Sequence, residues 1–600
     1  MTFIPATMTR PAESAQGRSF ALPIAILGAL ALGIAATLGR AEDVWRTGAF
    51  FDTDDALRMT QVRDLLAGQS WYDMTVARMD PPGSFMHWSR TVDVPLVLFM
   101  KFFGLFAGPA TAEALTRLAF PLVLLAALYV AVAWASRQFG DEYEQIVAVG
   151  LAFATGSVFT QFIPGRIDHH APQIVLLVLM TGAALAALAP SRAKLAGVSS
   201  ALAAVSLSIS VENLPFILVL AAAQPLAWIF RGDEQRTALL SYALGLVAGL
   251  VVCFFATVGP QRWLVPACDA LSVGYTVAGL AGAGGVAALA ALSPQLRGVA
   301  ARLCAVAVFG AAPIAALKLT APLCFGDPFV GLDPLVRLIW LDNVAEVRPL
   351  FALARSQPAF AATLGLPIAA ALLATIVCAV HATGVRRGRL TLLAALIAAG
   401  LAMTFWGVRV YSSVAPLAAV GGAVAATVSL RRFKAKGAAR AALAALFSLP
   451  YAAAAYALVL PADAPPTSGG GTMSCLRPEA MKPLDALPTG LVFAPIDSGS
   501  HLLAFTRHSV LGAPYHRNNR ANRLVIDAFL APPDQAERLV RGSGADYLVI
   551  CPAQMQAVTI AERAPQGLAA TLIAGGIPAW LSPLDVGSAP NLAFRVNPVK

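Results

Sequence analysis

Charged side chains are scarce in this sequence. Only 13% of its 600 residues are Asp, Glu, Lys or Arg, whereas 58% are hydrophobic. Soluble domains usually contain about 25% charged residues. A soluble protein of this composition would expose far too much apolar surface, so the composition excludes an ordinary soluble domain and predicts a polytopic membrane protein.

Cysteine is also sparse, and its spacing argues against a structural zinc site. The seven cysteines form no CxxC pair and no zinc-finger spacing. Cys475 and Cys551 fall in the same C-terminal part of the chain. Whether they form a disulfide is left open, because bridging requires Cα atoms within about 7 Å and the sequence does not supply that distance.

The excess of positive charge does not indicate a nucleic-acid partner. The formal net charge of +10 comes from basic residues in short clusters between apolar runs. Loops that face the cytoplasm have this pattern under the positive-inside rule. We therefore expect a membrane-embedded protein without a nucleic-acid ligand.

Long apolar runs predict about thirteen transmembrane helices, since a run of about 17–25 residues is long enough to cross the hydrocarbon core. The runs cover approximately residues 20–38, 112–136, 145–162, 172–189, 195–211, 214–230, 237–257, 273–293, 299–318, 358–380, 390–407, 412–429 and 440–460. Phe20–Leu38 is interpreted as an uncleaved first span, because residues 37–40 do not resemble a small-residue cleavage site. Val94–Gly108 is short and contains Lys101, which favours a helix along the membrane interface.

The charges in the loops predict the orientation. With the N-terminus in the cytoplasm, basic segments such as 192–194 and 386–389 fall on the cytoplasmic side. Asp54, Asp168 and Glu346 then all fall on the opposite side. We expect a protein of the bacterial inner membrane with its C-terminal domain in the periplasm.

The composition changes after Leu460. Residues 461–472 are rich in Pro, Gly and Ser, which is typical of a linker. Short β-type runs then alternate with helical runs, a pattern typical of a small α/β domain; the runs are 490–495, 521–529, 534–541 and 546–551. The sequence therefore predicts a transmembrane catalytic domain and a periplasmic α/β domain, bounded as 1–460, with outer loops 39–111 and 319–357, and 461–600.

Three polar clusters interrupt the apolar chain, at residues 51–55, 165–170 and 343–346. Ionisable groups beside membrane spans are costly to hold there and are functional candidates by default. Carboxylates and imidazoles together are the ligands of a hard or borderline divalent cation. The clusters predict an acidic, metal-binding site at one face of the membrane.

The stretch that follows the first cluster carries a resemblance to a known family. Residues 79–88 read Met-Asp-Pro-Pro-Gly-Ser-Phe-Met-His-Trp. An acidic turn, Pro-Gly and then His87-Trp88 resemble the first outer loop of the oligosaccharyltransferase catalytic subunit. That family has the C-type glycosyltransferase fold, and its archaeal members carry a similar Gly-x-x-x-His-Trp. His87 and Trp88 are thereby candidates for acceptor or loop contacts.

The resemblance also implies which aspartate of the first cluster is catalytic. When residues 63–68 are aligned with the corresponding bacterial stretch, the family's catalytic aspartate falls on Asp54 rather than on Asp52 or Asp55. Taken alone, these acids would also suit an N-cap of the helix that follows.

The second cluster, Asp168-His169-His170, looks like the family's second metal motif, which is Asp-x-Asp/Glu in many members and Asp-His-His in archaeal ones. The resemblance implies Asp168 and His170 as ligands beside Asp54, with His169 pointing elsewhere. The spacing suits this, because residues i and i+2 of an extended backbone project the same way. The expected ion is Mg²⁺ or Mn²⁺.

Two further positions match the family. Residues 343–349 resemble its mobile-loop motif, in which a glutamate, here Glu346, bridges the acceptor and the metal site while the loop closes over substrate. Arg409 matches an arginine that contacts the phosphate of the lipid-linked donor, a role suited to a planar guanidinium that binds two oxygens. The alternatives are a surface Glu346 paired with Arg348 and an interfacial Arg409.

The resemblance weakens in the C-terminal domain. Family members carry Trp-Trp-Asp-Tyr-Gly there, which reads the Ser/Thr of the acceptor sequon. Here the equivalent stretch is residues 494–499, in which Asp497 and Gly499 remain and both tryptophans are missing. Loss of two aromatic walls would remove most of such a pocket, so Asn-x-Ser/Thr recognition is not expected.

These features predict a metal-dependent glycosyltransferase that moves a sugar or oligosaccharide from a polyprenyl (pyro)phosphate to a glycan, lipid or protein acceptor on the periplasmic face. An oligosaccharyltransferase that glycosylates protein is the near alternative. A polytopic transporter is the alternative of a different class. Transporter sites lie near the bilayer midplane, whereas every cluster here lies at the end of a span.

Overall fold

The computed structural model describes residues 20–155, 160–326, 329, 331–432, 474–587 and 590–598. Its first part is a bundle of apolar helices, and its last part is a small sheet covered by helices. Eight helical segments are long and apolar enough to cross a membrane, or up to nine if the bent pair Ala21–Ala36 and Leu38–Thr47 is one span. The prediction of a polytopic α-helical membrane protein is confirmed.

The helices of the bundle and its outer loops have these bounds: α1 Ala21–Ala36, α2 Leu38–Thr47, α3 Thr53–Leu66, α4 Arg90–Gly104, α5 Pro109–Ser136, α6 Glu142–Phe153, α7 His170–Ala187, α8 Leu195–Ile209, α9 Leu214–Arg231, α10 Arg236–Thr257, α11 Val273–Leu292, α12 Val299–Thr320, α13 Pro334–Ile339, α14 Leu350–Ser356, α15 Pro358–His381, α16 Gly384–Thr404 and α17 Val410–Arg432. A short antiparallel pair, β1 Thr75–Val76 and β2 Ser84–Phe85, lies in the first outer loop. Proline stands in the first turn of α5, α13 and α15, where its missing N–H costs no helical hydrogen bond.

The predicted number of about thirteen spans is too high for the described residues. Helices α6 and α8 have 12 and 15 residues and fall short of the 18 that a span of this kind requires. Helices α9 and α10 belong to one continuous helical segment, Val211–Thr257. Gly232 separates them at a φ of +63°, a backbone conformation that favours glycine. The last predicted span, 440–460, lies outside the described residues.

Small residues allow close helix packing inside the bundle. Helices α8 and α10 meet at Gly197 and Gly245, where a Cβ on Gly245 would collide with the carbonyl oxygen of Gly197. Small residues at such contacts let two helix backbones approach closely, which gains van der Waals contact where lipid supplies no hydrophobic driving force. The segment predicted to lie at the interface is α4, which is not among the candidate spans.

The C-terminal part is an α/β domain, as predicted. Its elements are α18 Pro478–Met481, β3 Leu491–Phe493, α19 Gly499–Phe505, β4 Ser509–Val510, α20 Asn519–Leu530, α21 Pro533–Gly542, β5 Tyr547–Ile550, α22 Met555–Arg563, α23 Leu568–Ile573, β6 Leu581–Leu584 and β7 Leu592–Val596. The strand order is β4-β3-β5-β7-β6, with β3 parallel to β4 and β5, and β7 antiparallel to β5 and β6. The predicted linker, 461–472, lies outside the described residues.

Two disulfides cross-link the described chain, one within the C-terminal domain and one between two loops of the helical bundle. Cys475 and Cys551 are bridged, with Cα atoms 6.1 Å apart, which answers the question that the sequence left open. A second bridge, Cys268–Cys324, joins the loop after α10 to the turn after α12, with Cα atoms 4.9 Å apart. The spacing of the cysteines gave no indication of this second bridge.

The C-terminal domain docks on the first outer loop. The Arg78 guanidinium donates to the carbonyl oxygens of Leu503, Thr506 and His508 at 2.7–3.0 Å. The loop backbone also pairs with β4, since Val510 N–H donates to Arg78 O and Asp80 N–H donates to Val510 O, both at 2.8 Å. The loop and the domain therefore form one continuous structure at this end of the bundle.

The long loop before α15 docks on the same domain. Val336, Ile339 and Trp340 are buried in one hydrophobic core with residues of the C-terminal domain. Asp333 is paired with Arg523, with 2.8 Å between Oδ2 and Nη1. Both outer loops and the domain thus surround the polar clusters.

Candidate functional site

The three polar clusters predicted from the sequence come together at one end of the helical bundle. Asp54 lies in the first turn of α3, His170 begins α7, and Arg409 stands directly before α17. Glu346 lies in a short 3-10 turn of the long outer loop. These four side chains and Glu212, just before α9, form one cluster.

Two of the three aspartates in the first cluster have structural roles. Asp52 caps α3 by accepting from the N–H groups of Asp54 and Asp55 at 3.0 and 3.2 Å, and Asp55 accepts from the N–H of Asp52 at 3.3 Å. This is a capping box. Asp55 Oδ1 also accepts from the N–H groups of Ile167 and Asp168 at 2.7 and 3.1 Å, which ties α3 to the second cluster.

Asp54 is the aspartate that faces the two histidines. One oxygen of Asp54 and one ring nitrogen each of His169 and His170 lie within 4.8 Å of one another. The Tyr515 hydroxyl, from the C-terminal domain, donates to Asp54 Oδ1 at 3.1 Å. Burial raises the pKa of Asp54, and the charge of Asp168 raises it further, although the two histidines oppose this.

Asp168 is fully enclosed, with 1% of its surface exposed. Its Oδ1 accepts from the N–H of His170 at 2.9 Å, and Oδ2 is 4.0 Å from His170 Nε2. Its carboxylate also forms an ion pair with Arg166, which pairs with Asp52 as well. Burial would raise the pKa of Asp168, but Arg166 and the adjacent imidazoles hold it below its ordinary value.

The expectation that His169 points elsewhere is wrong. His169 Nε2 is 3.4 Å from Glu212 Oε1, His170 Nδ1 is 3.2 Å from Glu212 Oε2, and the two rings are 4.3 Å apart. The rule that residues i and i+2 share a side holds for extended backbone, whereas His169 has helical dihedrals, φ −87° and ψ −11°, at the start of α7. Both imidazoles therefore face the cluster.

Glu212 is a member of the cluster that the sequence analysis missed. It accepts from Arg409 and contacts both histidines. Its signal was available, because Glu212 is the acidic residue of the short loop between the runs 195–211 and 214–230, on the side predicted for the other acids. Arg166 and Tyr515 were also missed.

Glu346 pairs with Arg409 rather than with Arg348. Glu346 Oε1 is 3.9 Å from Arg409 Nη2, while Arg348 donates to Ser356 Oγ at 2.9 Å. The backbones meet as well, since Arg409 N–H donates to Glu346 O at 2.9 Å. Burial alone would lower the pKa of Arg409, but the negative charges of Glu212 and Glu346 raise it, so Arg409 stays charged. Burial alone would raise the pKa of Glu346, but the positive charge of Arg409 outweighs burial and holds this pKa below its ordinary value.

The two candidates of the first outer loop have different surroundings. The Trp88 ring lies edge-on to Tyr515, with centroids 5.4 Å apart, and 5.8 Å from the ring of His169. It therefore borders the acidic cluster. His87 lies 4.8 Å from the ring of His516 in the C-terminal domain, beside a neighbouring pocket.

Asp497 lies in a 3-10 turn of the C-terminal domain, directly before α19. Its backbone N–H donates to Gln556 Oε1 at 3.4 Å. Burial raises the pKa of its carboxyl group to about 6.

The donor set suits a divalent cation. Asp54, His169 and His170 supply oxygen and nitrogen donors from two parts of the chain, and Asp168 lies beside His170. The buried Nδ1 of His169 has no hydrogen-bond partner in the described part of the chain. A mixed set of carboxylates and imidazoles fits a divalent cation. Asp52, Asp55 and Asp168 form a second close group, but Arg166 and backbone N–H groups already occupy it.

The architecture matches solved structures of an oligosaccharyltransferase from the archaeon Archaeoglobus fulgidus. Its complex with an inhibitory peptide and a dolichol-phosphate has a TM-score of 0.66 at 14% identity, covering 92% of this chain and 72% of that chain. The form tethered to an acceptor peptide with the NVT sequon gives 0.64 at 14%, covering 98% and 75%. The complex with Zn and sulfate gives 0.61 at 15%, covering 96% and 73%.

No protein-family model matches the sequence, and no curated protein matches it. At such low identity the structural likeness concerns the fold. The predicted fold, that of the oligosaccharyltransferase catalytic subunit with a small C-terminal α/β domain, is confirmed.

Proposed function

We propose that this protein is a metal-dependent membrane glycosyltransferase that moves a sugar or oligosaccharide from a polyprenyl phosphate or pyrophosphate to an acceptor on the periplasmic face. The observation that carries the proposal is the clustering of Asp54, His169, His170 and Arg409 at one end of a bundle with an oligosaccharyltransferase fold. The archaeal neighbour was solved with a dolichol-phosphate, a lipid of the class proposed as donor here.

Arg409 is the proposed ligand of the donor phosphate. Its guanidinium is held between the carboxylates of Glu212 and Glu346, so it is oriented before a substrate arrives. A planar guanidinium binds two phosphate oxygens at once. As the bond between the sugar and the phosphate breaks, the phosphate gains negative charge, and a fixed cation at this position stabilises it.

Asp54, Asp168 and His170 are the proposed metal ligands, and the geometry supports His169 as a further donor. A bound Mg²⁺ or Mn²⁺ would supply Lewis-acid stabilisation of the departing phosphate. Asp55 and Arg166 hold the second cluster against the start of α3. They position Asp168 rather than contact substrate.

Asp54 or Glu346 would orient the acceptor and take its proton. In the transfer, the bond from the anomeric carbon to the phosphate oxygen breaks, the bond to the acceptor atom forms, and the acceptor's proton passes to a carboxylate. Tyr515 holds Asp54 in place through its hydroxyl.

A lipid or glycan acceptor is favoured over a protein sequon. The segment 494–497 carries no tryptophan where the family's sequon pocket has two. Protein glycosylation is the second candidate function, because the neighbour was solved with an acceptor peptide containing the NVT sequon and the fold match extends over that complex.

The proposal is tested with the purified protein and a synthetic polyprenyl-diphosphate sugar. Release of the lipid phosphate should depend on added Mg²⁺ or Mn²⁺ and should be lost in Asp54→Asn and in Asp168→Asn. Asp485→Asn, which changes a partly exposed aspartate paired with Arg507, is the matched control and should keep activity. Wild-type turnover by either site variant would contradict the metal site.

A comparison of envelope glycans with and without the gene would identify the acceptor. Uptake of solute by vesicles that contain the protein, without turnover of any lipid-linked sugar, would instead support the transporter alternative.

A further inference from the structure

A pocket lies next to the acidic cluster and shares the Trp88 side chain with it. It is enclosed by the first outer loop, by the loop between α10 and α11 and by the C-terminal domain. Its cavity volume is about 50 Å³. Because the Trp88 ring also contacts His169, a group bound in the pocket would be held within one side chain of the proposed reaction site.

Two arginines of the pocket flank the ring of Phe85. The guanidinium carbon of Arg262 is 3.8 Å from the ring centroid, and that of Arg517 is 5.8 Å away. Arg517 is neutralised, since it donates to both oxygens of Asp269 at 2.7 and 2.8 Å. Arg262 has no ion pair and no side-chain hydrogen bond among the described residues, so its charge is uncompensated by direct contact.

Other polar groups of the pocket also lack partners. The indole Nε1 of Trp88 and the ring Nδ1 of His87 are buried and have no hydrogen-bond partner within the described chain. An indole N–H can only donate. Burying an unpaired donor costs free energy, so the Trp88 indole points to a ligand that brings a hydrogen-bond acceptor.

A metal ion is the wrong ligand for this pocket. His87, Asp269 and His516 lie close enough to hold one. However, Arg517 occupies both carboxylate oxygens of Asp269, and His516 Nε2 is 2.6 Å from Oδ2. A divalent cation would displace these contacts and would meet the guanidiniums of Arg517 and Arg262 as like charges.

We infer that this pocket binds an anionic substituent of the substrate, a carboxylate or a phosphate, with Arg262 as its main ligand. The inference rests on the proposed glycosyl transfer and narrows its substrate to a charged sugar or glycan. The cavity is about a third of the roughly 150 Å³ that accommodates benzene. It therefore takes a substituent rather than a whole sugar ring, and the remainder of the substrate stays on the side of Trp88 that faces the acidic cluster.

The inference is tested by ligand-observed NMR with the full-length protein in detergent, read as ¹H saturation transfer for the two sugars and as ³¹P line broadening for phosphate. Glucuronate, inorganic phosphate and glucose are the probes. Glucuronate or phosphate should bind, and glucose should not. Tighter glucuronate binding identifies a carboxylated sugar as the source of the anion, and tighter phosphate binding identifies a phosphorylated one.

Arg262→Gln should weaken binding of the anion about tenfold, because a charge-assisted hydrogen bond is lost. Arg262→Lys should retain most of it. Arg520→Gln removes an arginine that is 93% exposed on the C-terminal domain and is the matched control. Arg262→Gln gives up the contact with the Phe85 ring but breaks no ion pair or side-chain hydrogen bond of the described chain, so its melting temperature should fall only slightly.

Equal anion affinity in Arg262→Gln and the wild type, or glucose binding as tight as glucuronate binding, would overturn the inference. The test separates it from the proposed function, because Asp54→Asn should lose turnover and still bind the anion. If turnover depends on Asp54 but the protein binds no anion, the proposed enzymatic function stands and the inference about the pocket is wrong.

Discussion

Glu212 links the two halves of the candidate site at the scale of single residues. It contacts the imidazoles proposed as metal donors and the guanidinium proposed to bind phosphate. A carboxylate that orients metal-binding histidines raises their basicity and fixes their tautomer. We therefore propose Glu212 as a positioning residue that acts on the metal ligands and on the ligand of the donor phosphate.

We expect Glu212→Gln to lower the affinity for Mn²⁺ about 10–100-fold, as is usual for partners of metal ligands. The apparent KM for the lipid-linked donor should rise as well, since Arg409 loses one of its two carboxylate partners. Metal titration and initial rates measure the two effects. Glu479→Gln, which changes an exposed glutamate in the C-terminal domain, is the control. Unchanged metal affinity in Glu212→Gln would mean that the histidines are held by other contacts.

The buried carboxyl group of Asp497 should make the free energy of unfolding of the protein depend on pH. Burial raises the pKa of its carboxyl group to about 6 from an ordinary 3.8, so the folded state keeps this proton at a pH where the unfolded state has lost it. The contribution of Asp497 to the free energy of unfolding is present at low pH and is lost as pH rises from about 4 to about 6. This loss is at most about 3 kcal/mol.

Asp497→Asn removes this ionisation. The melting temperature of the variant relative to the wild type should therefore be higher at pH 7.5 than at pH 4.5, as measured by thermal unfolding of the full-length protein in detergent. A difference that stays constant with pH would show that the Asp497 carboxylate is solvated in the folded state.

The long outer loop is the element whose movement matters most for the proposed transfer. Residues around Val336 and Trp340 are anchored in the core of the C-terminal domain. Glu346, further along, contacts Arg409 through both its side chain and its backbone. A substrate-dependent closure would therefore concentrate in the part that carries Glu346, which must admit the acceptor and then cover it.

Within 319–357, hydrogen exchange should slow when a donor analogue and an acceptor are added together, most of all in the part from 342 onward. Strand β5, residues 547–550, is the internal control and should not change, because it is central in the sheet. Equal protection of the loop with and without substrates would indicate that Glu346 has a structural role only.

The segment 494–497 carries our prediction about the acceptor. A site that hydrogen-bonds a substrate group rejects substrates that lack it, whereas a site without those partners does not discriminate in this way. We expect no transfer to Asn-x-Thr peptides and activity on a lipid, a glycan or a polypeptide marked by another signal. Efficient glycosylation of an Asn-x-Thr peptide that disappears when Thr is changed to Ala would restore the oligosaccharyltransferase alternative.

At the scale of the whole molecule, the candidate site lies between the helical bundle and the docked C-terminal domain. Tyr515 reaches Asp54 across 461 positions of sequence. The docking contacts of Arg78 and of Asp333 hold the domain over the site from two loops. All of these elements must lie on one side of the membrane for the proposed transfer to occur.

A topology test follows from the loop charges. A reporter that is active only outside the cytoplasm should be active when fused after Ala464 and inactive when fused after Lys434, because the basic residues near 431–440 are expected inside. The reverse pattern would place the site in the cytoplasm and overturn the proposed periplasmic acceptor.

The sequence by itself determined the class of protein, the positions of most of the long apolar helices and three of the acids at the site, Asp54, Asp168 and Glu346. Apolar length and charge are local properties, and a helix in a membrane satisfies its own backbone hydrogen bonds. The apolar runs therefore coincide with helices such as α5, α11 and α15. The alternation of basic loops with the other loops along the chain likewise indicated that Asp54, Asp168 and Glu346 lie at one end of the bundle.

Only the tertiary structure decided which atoms meet there. The orientation of His169 depends on a backbone that is helical rather than extended, and the role of Glu212 depends on how the turn before α9 meets the starts of α7 and α17. The partner of Asp54 comes from a domain at the other end of the chain. Such contacts join residues far apart in sequence, and neither periodicity nor spacing encodes which of them come within reach.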